Sequence, residues 1–287
     1  METNIWKIMW REIRHDWIAL IGLILFVLTV SVVYIWAATI DQDSAMLIRL
    51  AYSDRPPSAA HPLGTNLGGQ DMLTNLILSA RNSFNITFIV TFGGAFIGIL
   101  FGLFAGFYGG QVDNILMRIL DFFEMIPPIM LIIVLISLIP NYSVPQFAVI
   151  MVGIFSWQAT ARLIRAKALQ QGSLDYVSAS KTLGTPNIVI IFREVAPNLI
   201  SIIVSNFTIN LAANMGVETG LTFLGFGLPF ATPSLGRLVF YAATPANMTD
   251  RPWLWLPAAL LIIVMMLCVN FVGQALNRAA DAKKRSV

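Results

Sequence analysis

The sequence predicts an all-α, polytopic membrane protein with about six transmembrane helices and one short helix on its cytoplasmic side. Composition is the first reason: 57% of the 287 residues are hydrophobic and 11% are charged, against about 25% charged in soluble domains. The second is that the apolar residues gather into six runs, each close to the roughly 20 residues a helix needs to cross hydrocarbon. The third is the placement of the 18 Lys and Arg. If both termini are cytoplasmic, thirteen lie on that side or at helix ends facing it, and five (Arg49, Arg55, Arg81, Arg237 and Arg251) lie outside. Such a bias is what orients membrane chains.

Residues 1–16 form a polar, amphipathic cytoplasmic segment with Lys7, Arg11, Arg14 and Asp16. The transmembrane domain, residues 17–277, opens with Trp17–Ile40. This run is too long for a signal-peptide core, so it reads as an uncleaved first span. A Pro- and Gly-rich outer segment, 41–82, leads to the second span, Phe84–Tyr108. There Gly94, Gly98, Gly102, Gly106 and Gly110 recur every fourth residue, which lets two helix backbones approach closely; a flexing point for gating is the other reading. The third span, Asp113–Ile139, carries Arg118, Asp121 and Glu124 ahead of Pro127–Pro128. Asp121 and Glu124 are helical neighbours, Arg118 is placed to neutralise Asp121, and the prolines predict a kink. Val144–Leu163 is the fourth span.

A charged island, 166–197, follows. Ser173 is its candidate N-cap, Asp175 suits the first turn, and Gly184 with Pro186 ends the helix. This predicts a helix of about three turns with Tyr176, Val177, Ser180, Leu183 and Gly184 on or near one face, the shape of a knob that docks into a partner's groove. The fifth span, Leu199–Leu221, places Asn206, Asn210, Asn214 and Glu218 four apart on one slanted ridge. Intramembrane polar groups line a path or hold helices together. Amides suit a peptide path because they both donate to and accept from a peptide backbone. A second outer segment, 222–253, precedes the sixth span, Leu254–Val272, and a cytoplasmic tail, 278–287. Trp253 and Trp255 mark the outer interface; Trp6, Trp10 and Trp17 mark the inner one.

Enzymatic chemistry has little footing. No GxxxxGK[ST] loop is present, so the chain itself should not bind ATP. His15, His61 and Cys268 show no metal-ligand spacing. Ser178-x-x-Lys181 has the spacing of some acyl enzymes but lacks their companion motifs. The expectation is a chain with no catalytic residues, no cofactor and no metal.

The island resembles the coupling loop of ABC-importer permeases, Glu-Ala-Ala, three residues, Gly, nine residues, Ile-x-Leu-Pro. Ala179, Gly184 and Pro197 match, while Ser178, Ser180, Glu194 and Ala196 depart. His61–Thr65 (HPLGT), Ala105–Asp113 (AGFYGGQVD), Leu116–Asp121 (LMRILD), Leu221–Gly227 (LTFLGFG), Pro233–Leu238 (PSLGRL) and Trp255–Pro257 look like the peptide/nickel branch. In particular they resemble the second permease subunit of Gram-positive oligopeptide importers. The resemblance implies a type I importer permease whose coupling helix comprises Asp175, Tyr176, Val177, Ala179, Ser180, Leu183 and Gly184. Beside it, the intramembrane polar residues Asn206, Asn210, Asn214, Glu218, Asp121 and Glu124 form the candidate translocation path. The resemblance also implies a second homologous permease, two ATP-binding subunits that hold the ATP and Mg, an extracellular peptide-binding lipoprotein and an oligopeptide cargo, in a multi-pass plasma-membrane complex among lipids and without nucleic acid. Other cargoes (dipeptides, nickel chelates, metallophores) fit the same machinery. A peptide sensor or anchor without transport is the reading from another class.

Overall fold

A computed structural model describes residues 5–139, 141–229 and 231–285. The first four residues and the last two, within the segments read as the N-terminal start and C-terminal tail, lie outside it. The described residues are helical apart from loops and one isolated bridge, Thr65 to Asp71. Four helices are long and apolar enough to cross a membrane, and six spans result if each of two bent pairs counts as one.

Helix α1 (Ile5–His15) is amphipathic and packs Met9 and Ile13 against Ala275, Leu276 and Ala279 near the chain's end. Helix α2 (Trp17–Ala38) starts where Asp16 accepts from the N–H groups of Ile18 (3.0 Å) and Ala19 (3.2 Å). Asp16 also pairs with Arg278. A carboxylate there satisfies orphan amides and faces the positive end of the helix dipole.

Helix α3 (Met72–Tyr108) begins within the segment read as outer loop. Asp71 explains the early start: one oxygen caps Thr74 N at 2.9 Å and the other meets His61 Nδ1 at 2.9 Å. The helix stops at Gly109 and Gly110, whose φ values of +62° and +51° suit glycine.

Helices α4 (Gly110–Met125) and α5 (Pro128–Leu138) meet at 75°, the bend the two prolines predict. The fourth span is also broken, at 46°, between α6 (Val144–Ile154) and α7 (Gln158–Gly172). It was expected to be continuous and to end at Leu163. Instead α7 runs on into the island.

The knob is α8 (Asp175–Thr182). Helix α9 (Asn187–Phe223) widens into a π stretch at Ile191–Val195, just ahead of Pro197. A proline in a helix removes one donor and crowds the carbonyl four residues back, and a wider turn relieves that crowding. A short helix, α10 (Leu235–Phe240), sits over the start of α3, and α11 (Leu256–Arg285) runs through the position read as the start of the tail.

The glycine ridge is a packing ridge. A Cβ on Gly98 would lie 2.7 Å from Trp157 O, one on Gly102 2.6 Å from Ala161 O, and one on Gly106 2.7 Å from Ala168 Cβ. Gly94 meets Ser156 in the same way, so α3 lies backbone-to-backbone along the start of α7 and the residues just before it. Gly110 does not belong to this seam: a Cβ there would meet nothing within 4 Å beyond its own chain neighbours, and its role is the turn.

Two apolar clusters mark the two ends of the bundle. One end gathers Val33, Met72, Leu78, Leu235, Leu254 and Met265; the other gathers Leu103, Ile164, Val177, Ile190, Ile191 and Val195. Helix α3 joins them. Its 37 residues span about 54 Å at about 1.5 Å each, so the loops around Met72 and Leu235 lie far from α8.

Candidate functional site

The end carrying α8 is built from the hairpin between α7 and α9. Ser173 does not cap α8. It ends α7, where its Oγ donates to Gln170 O at 3.0 Å, and Leu174 takes the N-cap position without a side-chain bond. The helix is therefore eight residues, about two turns rather than three. Its end is as expected. Gly184 has φ +81°, Thr185 N donates to Ser180 O (3.1 Å), and Gly184 N donates to Lys181 O (3.0 Å). These two bonds form a Schellman motif.

The residues expected to share one docking face divide between two. Val177 is 0% exposed among Ile164, Ile190 and Val195. Tyr176 packs against the same cluster, and its hydroxyl donates to Gln171 Oε1 at 2.8 Å. Ser180 Oγ reaches both carboxylate oxygens of Glu194, at 2.9 and 2.8 Å. Lys181 Nζ lies 4.6 Å from the centre of the Phe107 ring at the end of α3. These side chains hold α8 to the body. The outward face is Asp175, Ser178, Ala179 and Thr182, with Leu183 84% exposed just beyond the helix and Gly184 open beside it. The bond between Ser180 and Glu194 joins two of the positions that depart from the loop motif, so each departure supplies the other's partner.

Most of the polar ridge of α9 is hydrogen-bonded within the chain, while Glu218 Oε2 is buried without a hydrogen-bond partner among the described residues. Asn206 Oδ1 accepts from Thr160 Oγ1 and from Asn210 Nδ2, both at 2.9 Å; Asn210 Nδ2 also donates to Thr160 Oγ1 at 3.1 Å. Farther along, Asn214 Nδ2 donates to Thr91 Oγ1 at 2.9 Å, and fully buried Glu218 accepts from Thr222 Oγ1 at 3.2 Å. Asn206 and Asn210 keep partial exposure, whereas Asn214 and Glu218 face the interior. Thr160 and Thr91 were missed from sequence because a threonine in an apolar helix carries no signal of what it faces.

Asp121 and Glu124 are joined by Arg162, not by Arg118. Arg162 Nη2 lies 2.7 Å from Asp121 Oδ1 and 2.6 Å from Glu124 Oε2, while Nε donates to Glu124 Oε1 at 3.0 Å. Arg118 is exposed. The fork of a guanidinium suits two carboxylates on one helix face. The triad ties α4 to α7, close to the bend in each broken span. Arg162→Ala should lower the thermal midpoint of the chain in lipid nanodiscs by about 2 to 4 °C, because an exposed ion network is worth about 1 kcal/mol. Arg118→Ala should leave the midpoint unchanged. Near the first turn of α4, Asp113 pairs with Arg165 in the same way.

At the opposite end, burial raises the Tyr142 phenol pKa above its ordinary value, and the nearby Arg237 charge opposes that shift. Burial lowers the Arg237 pKa in turn.

Fold and hairpin together define an ABC-transporter permease chain. The fold is shared with a chain of the inward-facing MetNI methionine ABC transporter, which matches over 73% of this chain and 97% of its own at 19% identity and a TM-score of 0.57. Residues 98–286 match the family of binding-protein-dependent transport system inner membrane components, and the chain belongs to that family. It is 42% identical over 275 residues to the oligopeptide transport system permease protein OppC of Lactococcus lactis subsp. cremoris, covering 95% of this chain and 93% of that one. OppC of Bacillus subtilis is 31% identical, over 98% of this chain and 91% of its own. AmiD of Streptococcus pneumoniae is 30% identical, over 97% and 90%. The family resemblance read from the loop motif and its companion segments is borne out.

Proposed function

We propose that this chain is one of two permease subunits of an ATP-driven oligopeptide importer. The observation that carries the reading is Leu183, a large apolar side chain left open at the tip of a helix whose other side is fixed to the body. Exposed apolar groups on a rigid, capped helix are what a partner's groove receives. The relatives named for oligopeptide transport supply the cargo class.

In this reading α8 seats in a cleft on an ATP-binding subunit. The outward residues Asp175, Ala179, Leu183 and Gly184 make the contact, and Tyr176, Val177 and Ser180 hold the helix in place. Asp175 supplies the acidic group that Ser178 lacks, one turn earlier. ATP and Mg reside on two such subunits. A second homologous permease completes the pathway, and an extracellular lipoprotein delivers peptide. Both termini and α8 face the cytoplasm of a Gram-positive cell, in keeping with the Lys and Arg bias. Alternating access follows from ATP-driven closure of the two ATPases, which shifts the populations of inward- and outward-open bundles. Asn206 and Asn210, with Asp121 and Glu124, are the polar groups of the ridge and triad still open enough to meet cargo. Asn214 and Glu218 support the same wall from behind.

Copurification tests the assembly. Affinity capture of this chain from its own membranes should bring down a second permease and two ATPases in a 1:1:2 ratio, the stoichiometry proposed above. Recovery of the chain alone under mild detergent, or with a signalling protein and no ATPase, would refute the reading.

A further inference from the structure

The end of the bundle far from α8 contains a cavity of about 590 Å³ where the loop before α3 meets the segment around α10. That size lies within the range of small-molecule sites. Its polar side chains are Gln70, Asn75, Asn247 and Arg237, with the hydroxyls of Tyr241 and Thr244, which can donate as well as accept. Asn75 and Asn247 are each 6% exposed and line it. Asn75 Oδ1 accepts from Ser79 Oγ at 3.2 Å, and Asn247 Oδ1 accepts from Arg251 Nη1 at 3.1 Å. With both side-chain oxygens engaged in the chain, each amide has its Nδ2 donors to offer. Arg237 also lines the cavity and, among the described residues, is the one Lys, Arg, Asp or Glu in its wall. Gln70 is already engaged within the chain: its Oε1 accepts from Asn66 Nδ2 at 2.7 Å, and its Nε2 donates to Met46 O at 2.6 Å. The remaining wall is largely apolar, with Met46, Ile48, Leu238 and Phe240.

A concave site with one cation, two buried amide donors and an apolar wall matches an acceptor-only anion attached to an apolar group. We propose that this cavity is a receiving subsite for the C-terminal residue of the peptide, with its free carboxylate toward Arg237, Asn75 and Asn247 and its side chain on the apolar wall. The subsite rests on the importer reading and adds the polarity with which peptide enters: carboxyl end against this subunit. Arg237 is the chief specificity determinant, because a guanidinium grips a carboxylate with two parallel bonds and has no such grip on a neutral amide.

The test uses the complete transporter in proteoliposomes, with one peptide ending in leucine supplied as the free acid and as the C-terminal amide. The measured quantity is the acid-to-amide ratio of kcat/KM for ATP-driven uptake, compared between wild type and Arg237→Gln. The binding protein is the same in both, so its own preference cancels. The ratio should fall about tenfold in the variant, through a higher KM for the acid. An unchanged ratio overturns the subsite, as does an equal loss for acid and amide. If the variant does not assemble, wild-type uptake is challenged with acetyl-leucine and with inorganic phosphate. Competition by acetyl-leucine alone supports a carboxylate subsite, while equal or absent competition overturns it. Failure of the importer reading would look different: wild-type vesicles would show no ATP-driven uptake of either peptide.

Discussion

Leu183→Asp is expected to leave the chain folded and inserted while cutting ATP-driven peptide uptake at least tenfold. Covering a leucine in a groove is worth about 1.5 to 3 kcal/mol, and each 1.4 kcal/mol or so is a factor of ten; an aspartate also carries a charge into that groove. Leu183 touches little of its own chain, at 84% exposed, so expression and melting should match wild type. Val177→Asp supplies the contrast. It buries a charge at a 0% exposed position between α7 and α9, and it should remove folded chain from the membrane. Gly184→Arg belongs with Leu183→Asp, with an added cost: φ of +81° is strained for any residue with a Cβ. Uptake and ATPase rates measured together decide the matter. Coupling retained in Leu183→Asp would show that α8 presents some other surface to its partner.

The second large effect is expected at Gly102. A Cβ there would lie 2.6 Å from Ala161 O, 2.7 Å from Ile164 Cβ and 2.8 Å from Arg165 N. Two of the three are backbone atoms of α7, which cannot turn aside as a flexible side chain would. Gly102→Val adds two further methyl groups and must push α3 and α7 apart along a seam that Gly94, Gly98 and Gly106 also hold closed. Overpacking of this kind costs about 3 kcal/mol or more, a large part of a typical domain's stability. Little Gly102→Val chain should be recovered by size-exclusion chromatography in detergent. Gly153→Ala is the control, because nothing lies within 4 Å of a Cβ at Gly153. Equal yields of the two variants would show that the seam is not tight.

Much of this architecture was legible in the sequence, and its gaps have local causes. The spans could be read because lipid imposes long apolar runs, and the Gly94–Gly106 spacing announced a close helix contact. Pro127–Pro128 announced the first bend. The second bend, at Phe155–Trp157, was hidden because no proline marks it and the single Gly153 just ahead of it sits inside an apolar run. The early start of α3 was hidden for another reason: its first turns carry Asn75, Ser79, Arg81 and Asn82, which bond to neighbouring loops or one another rather than face lipid. The inner and outer faces of α8 were not separable because eight residues are too few for a hydrophobic period to choose between them. Arg162 escaped notice as the partner of Asp121 and Glu124 because it lies 41 and 38 positions away in the chain, where helical spacing gives no guidance. The position of the hairpin was right, while the anchoring role of Val177, Tyr176 and Ser180 needed the structure.

The unbroken length of α3 has a mechanical corollary. It is a stiff lever with Lys181 of the knob resting on Phe107 at one tip and the donor-lined cavity beside Asn75 at the other. Over an arm of about 54 Å, rocking by about five degrees displaces the far tip by about 5 Å, nearly the width of an amide group and its neighbour. Nucleotide-driven strokes at one membrane face would therefore be felt at the other by leverage alone, with no relay of rearranging side chains between.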